Sequence, residues 1–161
     1  MPYLIDGHNL IPRVRGMSLG APDDELKLVV LLRTFASRAG RRVTVYFDRG
    51  APGSSRETSR TAVTVRFVSM PDTADAAIQR HLRRLGGDAR NWTVVSSDAE
   101  VRRAALRAGA RSQSSQDFAR MLIEAPARSA EKPEPPTSPE ALQEWASLFA
   151  KPKRNPRSNR R

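Results

Sequence analysis

The sequence predicts an α/β protein built on a mostly parallel sheet, and three observations carry that prediction. Short β-prone runs alternate with helix-length segments from the N-terminus to about residue 124, the pattern of repeated βαβ units with right-handed crossovers. The first two runs stop on a carboxylate, Asp6 and Asp48, and the fourth is followed closely by Asp98. Ligands of open α/β sheets sit beyond the carboxyl ends of the strands, where such acids would be useful.

The first strand is Tyr3-Leu4-Ile5, and Asp6-Gly7 after it reads as turn chemistry. A loop from Pro12 to Pro22 leads to Asp23-Asp24-Glu25, acids suited to the positive end of a helix that runs to about Arg38. The apolar residues of that helix go nearly all the way round, which predicts burial against a sheet; Gly40 ends it. Arg42 to Phe47 forms the second strand. Ala51 to Thr61 is small, polar and basic and reads as a mobile loop. Val63 to Val68 alternates as a third strand, and Asp72-Thr73-Ala74-Asp75 opens a helix with Ala74, Ile78, Leu82 and Leu85 on one stripe. Gly86-Gly87 closes it.

Asn91 to Ser96 is the fourth strand, followed by Ser97-Asp98-Ala99-Glu100 as a capping box at the head of a helix that Gly109 stops. A short strand near Ala110 to Gln113 and a helix from about Ser115 to Glu124 complete the body, so that 1–124 is one domain. Residues 125–138 are a Pro-rich linker, 139–150 a short amphipathic helix with Leu142, Trp145 and Phe149 at helical spacing, and 151–161 a basic tail too polar to bury.

Composition narrows the function classes. With no cysteine among 161 residues, disulfides and thiolate-bound zinc are excluded. No signal-peptide pattern opens the chain, and nothing approaches the roughly 20 apolar residues of a membrane span, so a cytoplasmic protein without membrane contact is expected. The formal charge of +11 points to a polyanion, nucleic acid before membrane. The tail supplies +6 of it. Of the 28 basic residues 24 are Arg, which a GC-rich genome explains as readily as phosphate recognition.

In a parallel sheet all carboxyl ends share one edge, so Asp6, Asp48, Asp75 and Asp98 should gather in one cleft. Each has a structural explanation on its own, as turn residue, helix-terminal acid or cap. Together they are harder to explain. Two like charges 5 Å apart repel by roughly 3 kcal/mol at an effective dielectric of about 20, so the cluster calls for a cation or extensive hydrogen bonding. Oxygen ligands, with His8 and His81 as the sole imidazoles, favour Mg²⁺ or Mn²⁺ over zinc. Arg49, Arg56 and Arg60 of the loop and Arg80 of the helix are candidates to hold a substrate backbone.

The run Leu4-Ile5-Asp6-Gly7-His8-Asn9-Leu10-Ile11 resembles the opening motif of the NYN domain family, in its YacP-like branch, among the PIN-like nucleases. Tyr46-Phe47-Asp48, Thr73-Ala74-Asp75 and Val94-Val95-Ser96-Ser97-Asp98 resemble its later motifs in order, and Gly109 with Ser115, Asp117 and Phe118 resembles its closing segment. The resemblance implies a PIN-like three-layer α/β/α sandwich and metal-dependent endoribonuclease activity. It implies Asp6, Asp75 and Asp98 as metal-binding acids, with Asp48 and Asn9 as supporting site residues. Many relatives place a second acid directly after Thr-Ala-Asp, and here that position is Ala76.

Two functions from different classes follow. In the first, Asp6, Asp75, Asp98 and Asp48 form a catalytic centre with Mg²⁺ or Mn²⁺, a water activated there attacks phosphorus in line, and Asn9 and Ser97 orient substrate or ligands. The substrate is RNA, single-stranded, free or on a ribosome. In the second, an RNA-binding module grips phosphates through its Arg-rich surface and tail, with little or no catalysis. A phosphatase of the aspartyl type is disfavoured because His8 stands where its second acid belongs; a toxin-like nuclease with an antidote partner shares the first chemistry.

Overall fold

Four of the apolar runs pair in parallel and draw a fifth, more polar run onto their edge. β1 (Tyr3–Asp6) lies at the centre between β2 (Val43–Asp48) and β5 (Thr93–Val95), with Tyr3 opposite both Val43 and Thr93. β4 (Val63–Val68) extends the sheet beyond β2 and β6 (Arg111–Gln113) beyond β5, again in parallel. β3 (Arg56–Ser59) pairs antiparallel with β4, giving the order β3-β4-β2-β1-β5-β6. The computed structural model describes residues 1–48, 56–59 and 62–124, all within one compact unit, Met1–Ala127. The expected linker, short helix and basic tail lie outside the described residues, as do 49–55 and 60–61.

β3 corrects the expectation of a mobile loop from Ala51 to Thr61 over Arg56–Ser59, the part of that stretch within the described residues. Arg-Glu-Thr-Ser has no apolar alternation to announce a strand, but an edge strand is held by its backbone ladder to one neighbour and needs no buried face. The rest of the sheet follows the sequence closely, because strands covered on both faces must be apolar throughout: in β2, Val43 to Phe47 are all buried.

Helices cover both faces. On one side, α3 (Ala74–Leu85) and α4 (Ala99–Arg107) bury Ala74, Ala77, Ile78, Leu82, Val101, Ala104 and Ala105 against Leu4, Tyr46 and Val94. On the other, α2 (Asp24–Ala39) and α5 (Ser115–Glu124) bring Phe35 and Phe118 onto Tyr3, with ring centroids 5.1–5.5 Å apart in the three pairs. α2 ends where Gly40 takes a left-handed conformation, φ 61°. The result is a three-layer α/β/α sandwich. No helix of the described residues is long and apolar enough to cross a membrane.

The chain after β1 departs from the sequence reading. Asp6-Gly7 is not a turn; Asp6 is the N-cap of a one-turn helix, α1 (Gly7–Leu10), which passes into a 3₁₀ turn at Ile11–Arg13. Gly7 has no positive φ. Glycine is required because a Cβ there would overlap Cε1, Cδ1 and Cζ of the fully buried Phe47 ring.

Candidate active site at the carboxyl edge of the sheet

The topology brings the acids to one rim. β1 ends on Asp6 and its parallel neighbour β2 on Asp48, while Asp75 lies in the first turn of α3 and Asp98 caps α4, the helices that leave β4 and β5. β1 is where the chain order reverses, since β2 and β4 lie to one side and β5 and β6 to the other. A crevice at such a switch point is the usual ligand position in an open α/β sheet.

Asp6 and Asp75 meet directly. Asp6 is buried, 6 % exposed, and its carboxyl hydrogen-bonds to that of Asp75. Burial, then the hydrogen bond and charge of Asp75, with a smaller push from Asp48, raise Asp6 to about 7, against an opposing N–H from Asn9. Asp75 is raised too, by burial first, with the charges of Asp98, Asp48 and Glu100 adding and the Asp6 hydrogen bond opposing. Burial and mutual repulsion thus make the pair hold a proton more tightly than two separate carboxyls would.

The other acids are tied into the backbone. Asp48 Oδ1 accepts from Ala74 N at 2.7 Å, which fixes the start of α3 against the end of β2. Thr73 caps the same helix, accepting from Ala76 N at 3.1 Å; Ala76 brings no acid. Asp98 Oδ1 accepts from Glu100 N and Val101 N, at 2.8 and 3.1 Å. Asp98, rather than Ser97, is thus the cap of α4, which corrects the capping-box reading. Its backbone N–H goes to Ser96 Oγ, 3.1 Å, a hydroxyl that is fully buried.

Asn9 and Ser97 stand at the centre of a second network. Asn9 Oδ1 accepts from Ser97 N and from Ser115 Oγ, both at 2.7 Å, and Ser97 Oγ accepts from Ser115 N at 3.1 Å. These bonds fix the Asn9 amide orientation and tie the end of β1, the β5–α4 connection and the start of α5 together. Ser115 is fully buried, and sequence reasoning gave it no role in the site beyond its place in the closing motif. Glu100 was also missed: its charge reaches Asp75 from the first turn of α4, the turn Asp98 caps.

The remaining candidates lie further out. Arg80 pairs with Asp72, both partly exposed. The side chains of Arg49, Arg56 and Arg60 lie outside the described residues. His8 Nε2 is 2.9 Å from Glu25 Oε1; burial pulls the imidazole down, but the Glu25 hydrogen bond and the charges of Glu25, Asp48 and Asp24 outweigh it and raise His8. His81 Nδ1 is 2.9 Å from the Tyr46 hydroxyl, with its ring against Trp92, so it is built into the packing of α3 against the sheet.

Among the described residues no group of three or more His, Cys, Asp or Glu is gathered closely enough to hold a metal ion. Two touching carboxylates with others at charge range do fit Mg²⁺ or Mn²⁺ that keeps most of its waters, since Mg²⁺ is commonly held by one or two carboxylates plus substrate phosphates. A pair that must share a proton is a pair that a cation could occupy instead.

This sheet order, with acids at the switch point and helices on both faces, defines a PIN-like α/β/α fold. The chain belongs to the YacP-like NYN domain family, whose model matches residues 3–148. The family is nuclease-like, with a fold of the RNA-acting kind. A crystal structure of Rae1 (YacP) from Bacillus subtilis is similar at 25% sequence identity and a TM-score of 0.63, covering 76% of this chain and 74% of that one. The W164L mutant of the same Bacillus subtilis protein is similar at 24% identity and a TM-score of 0.60, covering 76% of each chain. No curated protein matches the chain.

Proposed function

We propose that this chain is a metal-dependent endoribonuclease that hydrolyses phosphodiester bonds of single-stranded RNA at the carboxyl edge of its sheet. The observation that carries the reading is the Asp6–Asp75 contact: a buried acid pair, surrounded by Asp48, Asp98 and Glu100, in a chain of net charge +11. Structural needs alone rarely gather like charges this way, whereas a cation-binding centre requires it. Membership of a nuclease-like family supports the same reading.

Asp6 and Asp75 would hold Mg²⁺ or Mn²⁺, with Asp98 and Glu100 next in line. The ion supplies Lewis-acid polarisation of the phosphoryl group and a more acidic water. The chain's own residues supply position. Asp48 anchors α3 so that Asp75 faces Asp6, and Asn9 anchors the turn after β1 to Ser97 and Ser115. Asp6, raised by burial and by Asp75, would hold the ion as a carboxylate, so that binding would displace a proton from the pair.

Purified protein incubated with labelled single-stranded RNA, with and without Mn²⁺, tests this. Cleavage should require the ion and vanish in Asp6→Asn and Asp75→Asn; cleavage that survives Asp6→Asn overturns the assignment. The second reading, an RNA-gripping module without catalysis, draws on the lack of a three-acid group among the described residues. RNA binding without cleavage under any divalent ion would select it.

A further inference from the structure

We infer that the exposed sides of α3 and α4 form the surface along which single-stranded RNA runs away from the acidic rim. The inference rests on the reading above for the identity of the polyanion and adds where its flanking phosphates lie.

Both helices start at the rim. Asp75 lies in the first turn of α3 and Asp98 caps α4, and the helices share one core cluster on the same face of the sheet. A strand engaged at Asp6 and Asp75 therefore meets their outer surfaces next. At 1.5 Å per residue, α4 leads about 13 Å and α3 about 18 Å away from the acids.

The charges along these helices divide into paired and unpaired groups. At the rim end, Asp72 pairs with Arg80 and Glu100 with Arg103. Arg102 stands beside that last pair, and Arg83 and Arg84 on α3 and Arg107 on α4 lie further out; all four are exposed, and among the described residues none of them makes an ion pair. Arg102 Nε donates to Ser112 Oγ at 3.3 Å, which steadies the guanidinium without neutralising it. Leu106, 64 % exposed, stands among the α4 arginines and offers an apolar contact to a base. Four unneutralised guanidinium groups in a chain whose catalytic rim repels anions match the need of a nuclease to hold its substrate beside that rim.

The test is fluorescence anisotropy of a labelled single-stranded RNA with the full chain in EDTA, where binding is read without cleavage, over 50–200 mM salt. Arg83→Gln with Arg84→Gln, and Arg102→Gln with Arg107→Gln, keep helix propensity and remove two charges per pair. Each pair should flatten the log–log salt slope by up to about 1.4, at roughly 0.7 per neutralised phosphate contact. The control pair Arg41→Gln with Arg42→Gln removes the same charge between α2 and β2, in the connection from the helix layer on the other face of the sheet. Slopes unchanged, or changed no more than by the control pair, overturn the inference; a steeper dependence of duplex than of single-stranded RNA on the same residues overturns its single-strand part. A protein that cuts RNA with its slope untouched keeps the nuclease and loses this surface. One that never cuts but whose slope flattens keeps the surface and loses the nuclease.

Discussion

Replacing Asp6 with Asn should make the metal-free protein more stable, by an amount that depends on pH. Asp6 is raised from 3.8 to about 7 in the folded chain, which is worth roughly 4 kcal/mol at ~1.36 kcal/mol per tenfold change in proton affinity. The folded state holds the proton more tightly than the unfolded one, so folding loses stability as pH rises from about 4 to about 7, and the full loss is present above that. Asn carries no charge, its side-chain oxygen can still accept from Asn9 N, and its amide can donate to Asp75 in place of the proton. Thermal melts in EDTA should show no gain for Asp6→Asn near pH 4 and a gain of about 8–16 °C at pH 8, at ~2–4 °C per kcal/mol for a chain of this size. Mn²⁺ at about 100 times its dissociation constant should then return roughly 2.7 kcal/mol to the wild type alone. A variant that melts with the wild type at every pH, or below it at pH 8, refutes the account of Asp6 as a buried, electrostatically penalised acid.

Three further outcomes follow from the geometry. Gly7→Ala drives a Cβ into the Phe47 ring and should cost about 1–3 kcal/mol in urea unfolding, with much of it recovered in combination with Phe47→Leu; full stability in the single variant would mean that the ring can move aside. Ser115→Ala removes the hydroxyl that donates to Asn9 Oδ1 and should cost about 1–2 kcal/mol while lowering turnover more than RNA affinity; loss of affinity alone would place Ser115 in binding instead. His8 is raised by its pairing with Glu25, so its contribution is complete below about pH 6.5 and fades as pH climbs through the raised value; in Glu25→Gln the imidazole should titrate lower by NMR, and an unmoved curve would deny the pairing.

How much of this was legible in the sequence differs by element. Strands β1 and β2 were plain because strands buried on both faces have to be apolar throughout, and β4 because its apolar residues alternate, as its burial does over Val63 to Phe67. β3 was not, since Arg-Glu-Thr-Ser carries no apolar alternation and its antiparallel ladder to β4 is a backbone feature. Asp6-Gly7 looked like a turn because Asp and Gly favour turns, yet the glycine answers to Phe47, forty residues away, and local propensity holds no trace of such a contact. Parallel pairing made the convergence of Asp6, Asp48, Asp75 and Asp98 on one rim readable. Their different tasks were not: which two touch and which are spent capping α3 and α4 depends on helix starts set to within a residue, as Asp98 taking the cap from Ser97 illustrates. Ser115 was hidden for a simpler reason, since nothing local links it to Asn9, 106 positions earlier.

That last link has a bearing on how the protein comes into being. A single amide oxygen near the start of the chain takes its two donors from positions 97 and 115, so a polypeptide released or cut ahead of Ser115 owns every acid of the rim yet lacks half of that clasp. Such a shortened chain would keep Asp6, Asp48, Asp75 and Asp98 in its sequence without the bonds through which α5 holds the ends of β1 and β5 together.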